Sequence, residues 1–197
     1  MPSTYGSDQK TVQPIELDDS VLASIGRLVR AFAEIEELVT LFIGALAKLN
    51  QSELVIVLGR AALSRRIEMA VDLAKLDGGQ HARKFIESFK SSEFRDMHVC
   101  RNAVAHGTLM GVDDDGMLAF LTDKTDSPLG NSSVQLVACY HPKTIKALSE
   151  AAANSIEPVA KGIGLQSWLK RYQPQALQPH RKGRIKRGDG AKPKHQS

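Results

Sequence analysis

Eight apolar residues between Val21 and Leu46 constrain this chain more than any other feature. Val21, Ile25, Leu28, Phe32, Ile35, Val39, Phe42 and Leu46 advance by alternating steps of four and three. That spacing places all of them on one face of an α-helix and on no face of a strand. It predicts an amphipathic helix of about 30 residues, opened by the capping signal Asp18-Asp19-Ser20. A flanking row on the same face reads Leu22, Val29, Glu36 and Ile43, so Glu36 occupies a place where the pattern asks for an apolar side chain. A carboxylate there either finds a partner or has its pKa raised, because burying the charge alone is costly. The alternative is that Glu36 lies at the edge of the stripe and reaches solvent.

The remaining pattern is helical up to Gly107 and changes afterwards. Asn50-Gln51-Ser52 breaks the first helix, and Ser52 can cap a second from Glu53 to about Leu76. Asp77-Gly78-Gly79 reads as a turn, followed by a third helical stretch from Gln80 to about Phe89. Ser91 or Ser92 then caps a run through residues 93–106. Thr108 to Val112 and Met117 to Thr122 flank the turn Asp113-Asp114-Asp115-Gly116, which predicts a β-hairpin. Val134 to Tyr140 reads as a third strand. Pro142 suits the first turn of a last helix, which Pro158 ends or kinks. The expected fold is mainly α: a bundle of four to five helices with a three-strand insertion at about 108–140, before the last helix. The expected organisation is a flexible lead over 1–17, a helical domain over 18–172 and a disordered basic tail over 173–197.

Charge supports that division. The chain carries 26 Lys/Arg and 22 Asp/Glu, a net of +4. Residues 180–197 hold seven Lys/Arg and one Asp, a net of +6, which leaves residues 1–179 with 19 basic and 21 acidic side chains, a net of −2. A basic end rich in Gly and Pro adds salt-sensitive, sequence-independent attraction to nucleic acid, or serves only as a solubilising end. No run of 18 apolar residues is present, so no membrane span is expected. The first residues contain no apolar core of the kind a secretory signal needs, and a cytoplasmic location is expected. Two distant cysteines, Cys100 and Cys139, fit reduced thiols rather than a disulfide frame or a zinc site.

Familiar enzyme signatures are missing. Gly162-Ile163-Gly164 lacks the third glycine and the preceding strand of a dinucleotide fingerprint. The acidic turn at 113–116 lacks calcium-loop ligands at both ends, where Gly111 and Thr122 stand. The histidines show no zinc spacing, and no GxSxG elbow occurs. No cofactor and no metal are expected.

What remains is Cys100-Arg101-Asn102-Ala103-Val104-Ala105-His106-Gly107. On a helix His98, Asn102 and His106 share one face, and Arg101 flanks it. Arg101 and His106 lie five residues apart, about 140° around the axis. They converge only across a groove, or if the helix ends near His106, and Gly107 can end it in the left-handed cap conformation. A helix C-terminus favours a charged imidazole, while a nearby arginine opposes it. The balance suits a group that both takes and gives a proton. An arginine beside it offers a fixed positive fork for a phosphate. Small Ala103 and Ala105 would let another helix or an RNA backbone come close. These are the parts of a metal-free ribonuclease, although an Arg and a His near a helix end are equally at home as a solvated cap.

Arg101-Asn102-Ala103-Val104-Ala105-His106 resembles the Arg-x4-6-His motif of the HEPN superfamily, in which a polar residue often follows the arginine. The order of elements is similar too: a long first helix, a second helix, the motif late in a later helix, and a terminal helix, over roughly residues 18–165. The resemblance implies a helical bundle that forms a homodimer, with the motifs of two protomers facing one cleft. It implies a metal-independent endoribonuclease leaving a 2′,3′-cyclic phosphate, of the kind found among toxins and phage-defence proteins. Arg101 and His106 would be catalytic, and Asn102 would orient the histidine or the substrate. RNA would be the substrate, and an antitoxin or nucleotidyltransferase a partner. Other members are inactive and bind a nucleotide or a protein. Glu36, if the first helix packs on the motif helix, would pair with Arg101 or orient His106, and His98 would support the motif from one turn away. The β-hairpin and third strand after the motif depart from the best-known toxin members.

Overall fold

A computed structural model describes residues 3–5, 10–124 and 134–165. Its elements run β1 (Ser3–Tyr5), β2 (Lys10–Gln13), α1 (Asp19–Ala47), α2 (Gln51–Leu58), α3 (Leu63–Asp77), α4 (Gln80–Phe89), α5 (Ser92–His106), β3 (Thr108–Asp113), β4 (Leu118–Lys124), β5 (Val134–Tyr140) and α6 (Pro142–Gly162). The chain is mainly helical, with one antiparallel sheet attached, and the hairpin, the third strand and the last helix fall where the sequence places them.

The long helix is the axis of the molecule. Asp18 caps α1 by accepting from the backbone N–H of Val21 at 2.9 Å. The apolar stripe is buried along its middle, with Leu28, Phe32, Ile35, Val39 and Phe42 almost wholly out of solvent. Those side chains are covered by α6, α3 and α5, which pack around α1. A chain of aromatic rings threads this core. Phe42 lies on Phe85 (centroids 4.5 Å apart), Phe85 on Phe89 (4.4 Å), Phe89 against Phe94 (4.8 Å) and Phe94 against Phe32 (5.7 Å). Such ring pairs add about 0.5–1.5 kcal/mol each beyond the area they bury, and the last of them ends beside the motif helix.

The expected second helix is two helices. The backbone leaves helical geometry at Gly59 (φ 48°, ψ −123°), and α3 begins only at Leu63. Periodicity carries through this break because Leu54 and Leu58 of α2 and Leu63 and Ala70 of α3 are all buried against the same core. The cap of α2 is Asn50 in a reciprocal capping box with Glu53, rather than Ser52. α2 lies at a bend of 109° to α1 and leaves Val55, Ile56 and Val57 exposed. At the other end of the chain Pro158 does not end α6, which continues to Gly162. Among the described residues no single helix is long and apolar enough to cross a membrane.

The sheet has five strands in the order β1-β2-β3-β4-β5, all antiparallel. The lead is therefore not free over its whole length, as the sequence reading had it: β2 pairs with β3, with Val12 opposite Asp113 and Gln13 opposite Val112. Val12 is fully buried. Gly111 makes this pairing possible, since its φ of 145° disfavours other residues and a Cβ there would collide with the Gln13 carbonyl. The expected turn is built on Asp113, whose carboxylate accepts from the N–H groups of Asp115 (3.0 Å) and Met117 (2.8 Å). On β4, Leu118 and Phe120 join the helical core. The basic segment 173–197 lies outside the described residues.

Candidate functional site

α5 begins with the Ser91 hydroxyl accepting from the Phe94 N–H at 3.1 Å and ends at His106. Phe94, Met97, Cys100 and Ala103 form its buried face. Arg101, Asn102 and His98 are half-buried beside it, and Ala105 and His106 are exposed. Of the two small residues, Ala103 is used by the core and only Ala105 stays open to an approaching group.

The helix stops for a reason other than the one its sequence suggests. Gly107 is not left-handed; it is extended (φ −76°, ψ 153°) and leads straight into β3. Its N–H still donates to the Ala103 carbonyl at 2.8 Å. Glycine is required by space: a Cβ would collide with that same carbonyl and would stand 3.1 Å from the Thr122 methyl and 3.2 Å from the Leu121 carbonyl on β4. The sheet is pressed against the end of the motif helix, and His106 is the last helical residue before that contact.

With the helix ending there, the long Arg101 side chain reaches along it to His106. Its Nη1 lies 3.1 Å from His106 Nε2 and donates to Asn102 Oδ1 at 2.9 Å. Asn102 Nδ2 in turn lies 3.3 Å from His98 Nε2. The direction of every bond follows from the arginine, because a guanidinium only donates. Asn102 Oδ1 and His106 Nε2 must accept, which turns the Asn102 amide so that its Nδ2 faces His98. His98 Nε2 must then accept as well. In this arrangement both rings carry their proton on Nδ1. The Arg101 Nε–H is buried and has no partner among the described residues, which costs about 1–3 kcal/mol.

His98 is anchored by stacking. Its ring lies 5.7 Å from that of Phe32 on α1 at 17° and 6.0 Å from that of Phe94 at 23°. Burial, and then the Arg101 charge, lower its pKa below the ordinary imidazole value, in agreement with its role as a hydrogen-bond acceptor. Under the motif, burial pushes the Cys100 thiol up to about 11 and the Tyr140 phenol to about 12. Cys100 and Cys139 form no disulfide with each other.

Glu36 has a different partner from the one expected. Its carboxylate pairs with Arg66 on α3 at 3.1 Å, where the side chains are 35% and 16% exposed. Arg66 also donates to the Thr40 hydroxyl (3.0 Å) and the Ala61 carbonyl (2.9 Å). Glu36 thus ties α1 to α3 and is spent there rather than on the motif. Its face of α1 looks into an open cavity of about 820 Å³ between α1 and α2, lined among others by Leu41, Gly44, Leu54 and Val55. Neither Arg101 nor His106 lines it.

The structure therefore brings together four of the five residues singled out in the sequence, His98, Arg101, Asn102 and His106, and sets Glu36 apart. It adds Phe32 and Thr122 around them. Phe32 was visible only as one more core position, and no local signal marked Thr122. No cluster of His, Cys, Asp and Glu suited to a metal occurs among the described residues. Comparisons with models of known protein families, with characterised proteins and with solved structures return no match.

Proposed function

We propose that the protein is a metal-independent endoribonuclease of HEPN type, in which Arg101 and His106 act on a phosphodiester of RNA. The observation that carries this reading is the direct 3.1 Å contact between Arg101 Nη1 and His106 Nε2 at an exposed helix end. A cation for a phosphate and a base for a hydroxyl are held within one hydrogen bond of each other.

The chemistry follows from the groups present. A phosphate oxygen competes for the guanidinium Nη1 that meets His106 Nε2 and draws Arg101 off the imidazole. The Nε2 lone pair released in this way takes the proton of the ribose 2′-hydroxyl. The 2′-oxygen attacks phosphorus, the bond from phosphorus to the 5′-oxygen breaks, and the imidazolium returns its proton to that oxygen. The products are a 2′,3′-cyclic phosphate and a 5′-hydroxyl. Arg101 meets the charge that builds on the phosphoryl oxygens. Val99 and His106, two turns apart on one side of α5, are both exposed, as is Ala105. A second copy docked on that side would bring its own motif to the same cleft.

A second reading is favoured by one observation: in the present arrangement the Nε2 lone pair is already occupied by Arg101. A protein that keeps this bond closed would bind a nucleotide or a protein partner without cutting RNA. A short RNA with a single ribose separates the two. The ribonuclease should cut only after that ribose and leave a cyclic phosphate, whereas a silent module should bind and leave the strand whole.

A further inference from the structure

We propose that His98 is a positioning residue of the Arg101–His106 site: by accepting from Asn102 Nδ2 it holds the amide with Oδ1 toward Arg101 and so sets the guanidinium beside His106. This rests on the ribonuclease reading for its role in catalysis, though not for the positioning itself.

The observations form a chain with one starting point. The two ends of an amide differ only in whether they donate or accept, so the Asn102 side chain fits its place in either of two orientations. One orientation gives Arg101 an acceptor, at 2.9 Å. The other turns an NH2 group against the guanidinium, donor to donor. Arg101, which can only donate, selects the first orientation, and His98 Nε2, at 3.3 Å from Asn102 Nδ2, holds it by accepting; the second orientation needs the Nε2–H tautomer or an added proton on His98. The ring cannot turn freely to accommodate a flipped amide, since it is stacked on Phe32 and Phe94. Phe32 belongs to α1, so the packing of the central helix is transmitted through one ring and one amide to the arginine.

Acidification reverses the arrangement. A proton on His98 Nε2 makes it a donor, the amide turns to meet it, and Arg101 loses Oδ1. Among the described residues His98 stacks on Phe32 from α1 and on Phe94 and meets Asn102 on its own helix; the charge that acts on it is that of Arg101, which opposes that proton.

Two substitutions separate positioning from mere packing. His98→Phe keeps the stacked ring and removes the acceptor, while His98→Gln keeps an acceptor oxygen and removes the ring. Positioning requires His98→Phe to lower kcat/KM on RNA by about tenfold or more, with His98→Gln within about threefold of wild type. Packing alone requires the reverse order, which would overturn the proposal. Side-chain NMR gives a readout that needs no activity. The Asn102 amide and Arg101 Nε–H signals should titrate together with the His98 ring in the wild type and shift in His98→Phe at neutral pH. Unchanged Asn102 and Arg101 signals in His98→Phe would refute positioning. Failure of the wild type to cut RNA, with the NMR result as expected, would remove the ribonuclease reading and leave the positioning intact.

Discussion

Glu36 on α1 and Arg66 on α3 are joined at 3.1 Å, and the same guanidinium reaches Thr40 and the Ala61 carbonyl. The arginine is the more buried partner, and it stands where α2 gives way to α3. Glu36→Gln leaves it half-buried with a weaker partner. A loss of about 1.5 kcal/mol in denaturant unfolding is expected, the low end of the range for hydrogen bonds to charged groups. Any RNA cleavage per folded molecule should not change, because Glu36 does not touch the motif. A change below about 0.5 kcal/mol, the usual scatter of surface substitutions, would show that the pair contributes nothing.

Gly107→Ala tests the close approach of β4 to the end of α5. The added methyl meets the Ala103 carbonyl and the edge of β4, a case of overpacking that costs about 1–3 kcal/mol. Thermal unfolding should move down by several degrees; an unchanged midpoint would mean that the sheet does not press on the helix end.

The pH dependence of stability carries the signature of His98. Its folded pKa lies below the ordinary value, so the unfolded chain binds a proton that the folded chain resists. The stabilisation is full above pH about 6.5 and is lost as pH falls from there through the folded pKa. Urea titrations of the wild type and His98→Phe at pH 7.5 and pH 5 should show the wild type losing more stability on acidification. Equal losses would assign the acid sensitivity to other groups.

Cys100 is wholly buried, with its thiol pushed up to about 11. Thiolate is the reactive form, so a small alkylating reagent at pH 8 should leave Cys100 unmodified in the native protein and react once urea unfolds it. Rapid native modification, read by peptide mass, would contradict its place under the motif.

How far the sequence foretold this structure can be seen from particular residues. The apolar series on α1, the span of α4, the Asp113 turn and the start of α6 at Pro142 rest on local periodicity and capping, and each was legible. The break at Gly59 was not, because the residues on both sides bury against one core and keep the period. β2 was not legible either. A single buried valine in a short polar strand gives no alternation to read, and its partner β3 lies about a hundred residues further along the chain, so only the fold reveals the pairing. At the site, spacing alone put His98, Asn102 and His106 on one face. The partner of Glu36 depended on how α3 packs on α1, which no spacing within α1 records.

The most direct measurement is cleavage of single-stranded RNA by purified protein in EDTA, compared with Arg101→Ala and His106→Ala. The wild type is expected to cut, leaving 2′,3′-cyclic phosphate ends, and each variant is expected to lose cutting by at least about a hundredfold, the lower end of what a positioned acid–base or electrostatic group supplies, with its helical content and oligomeric state unchanged. A wild type that leaves RNA intact, or a His106→Ala protein that cuts as well as the wild type, would contradict the assignment of Arg101 and His106 as a catalytic pair.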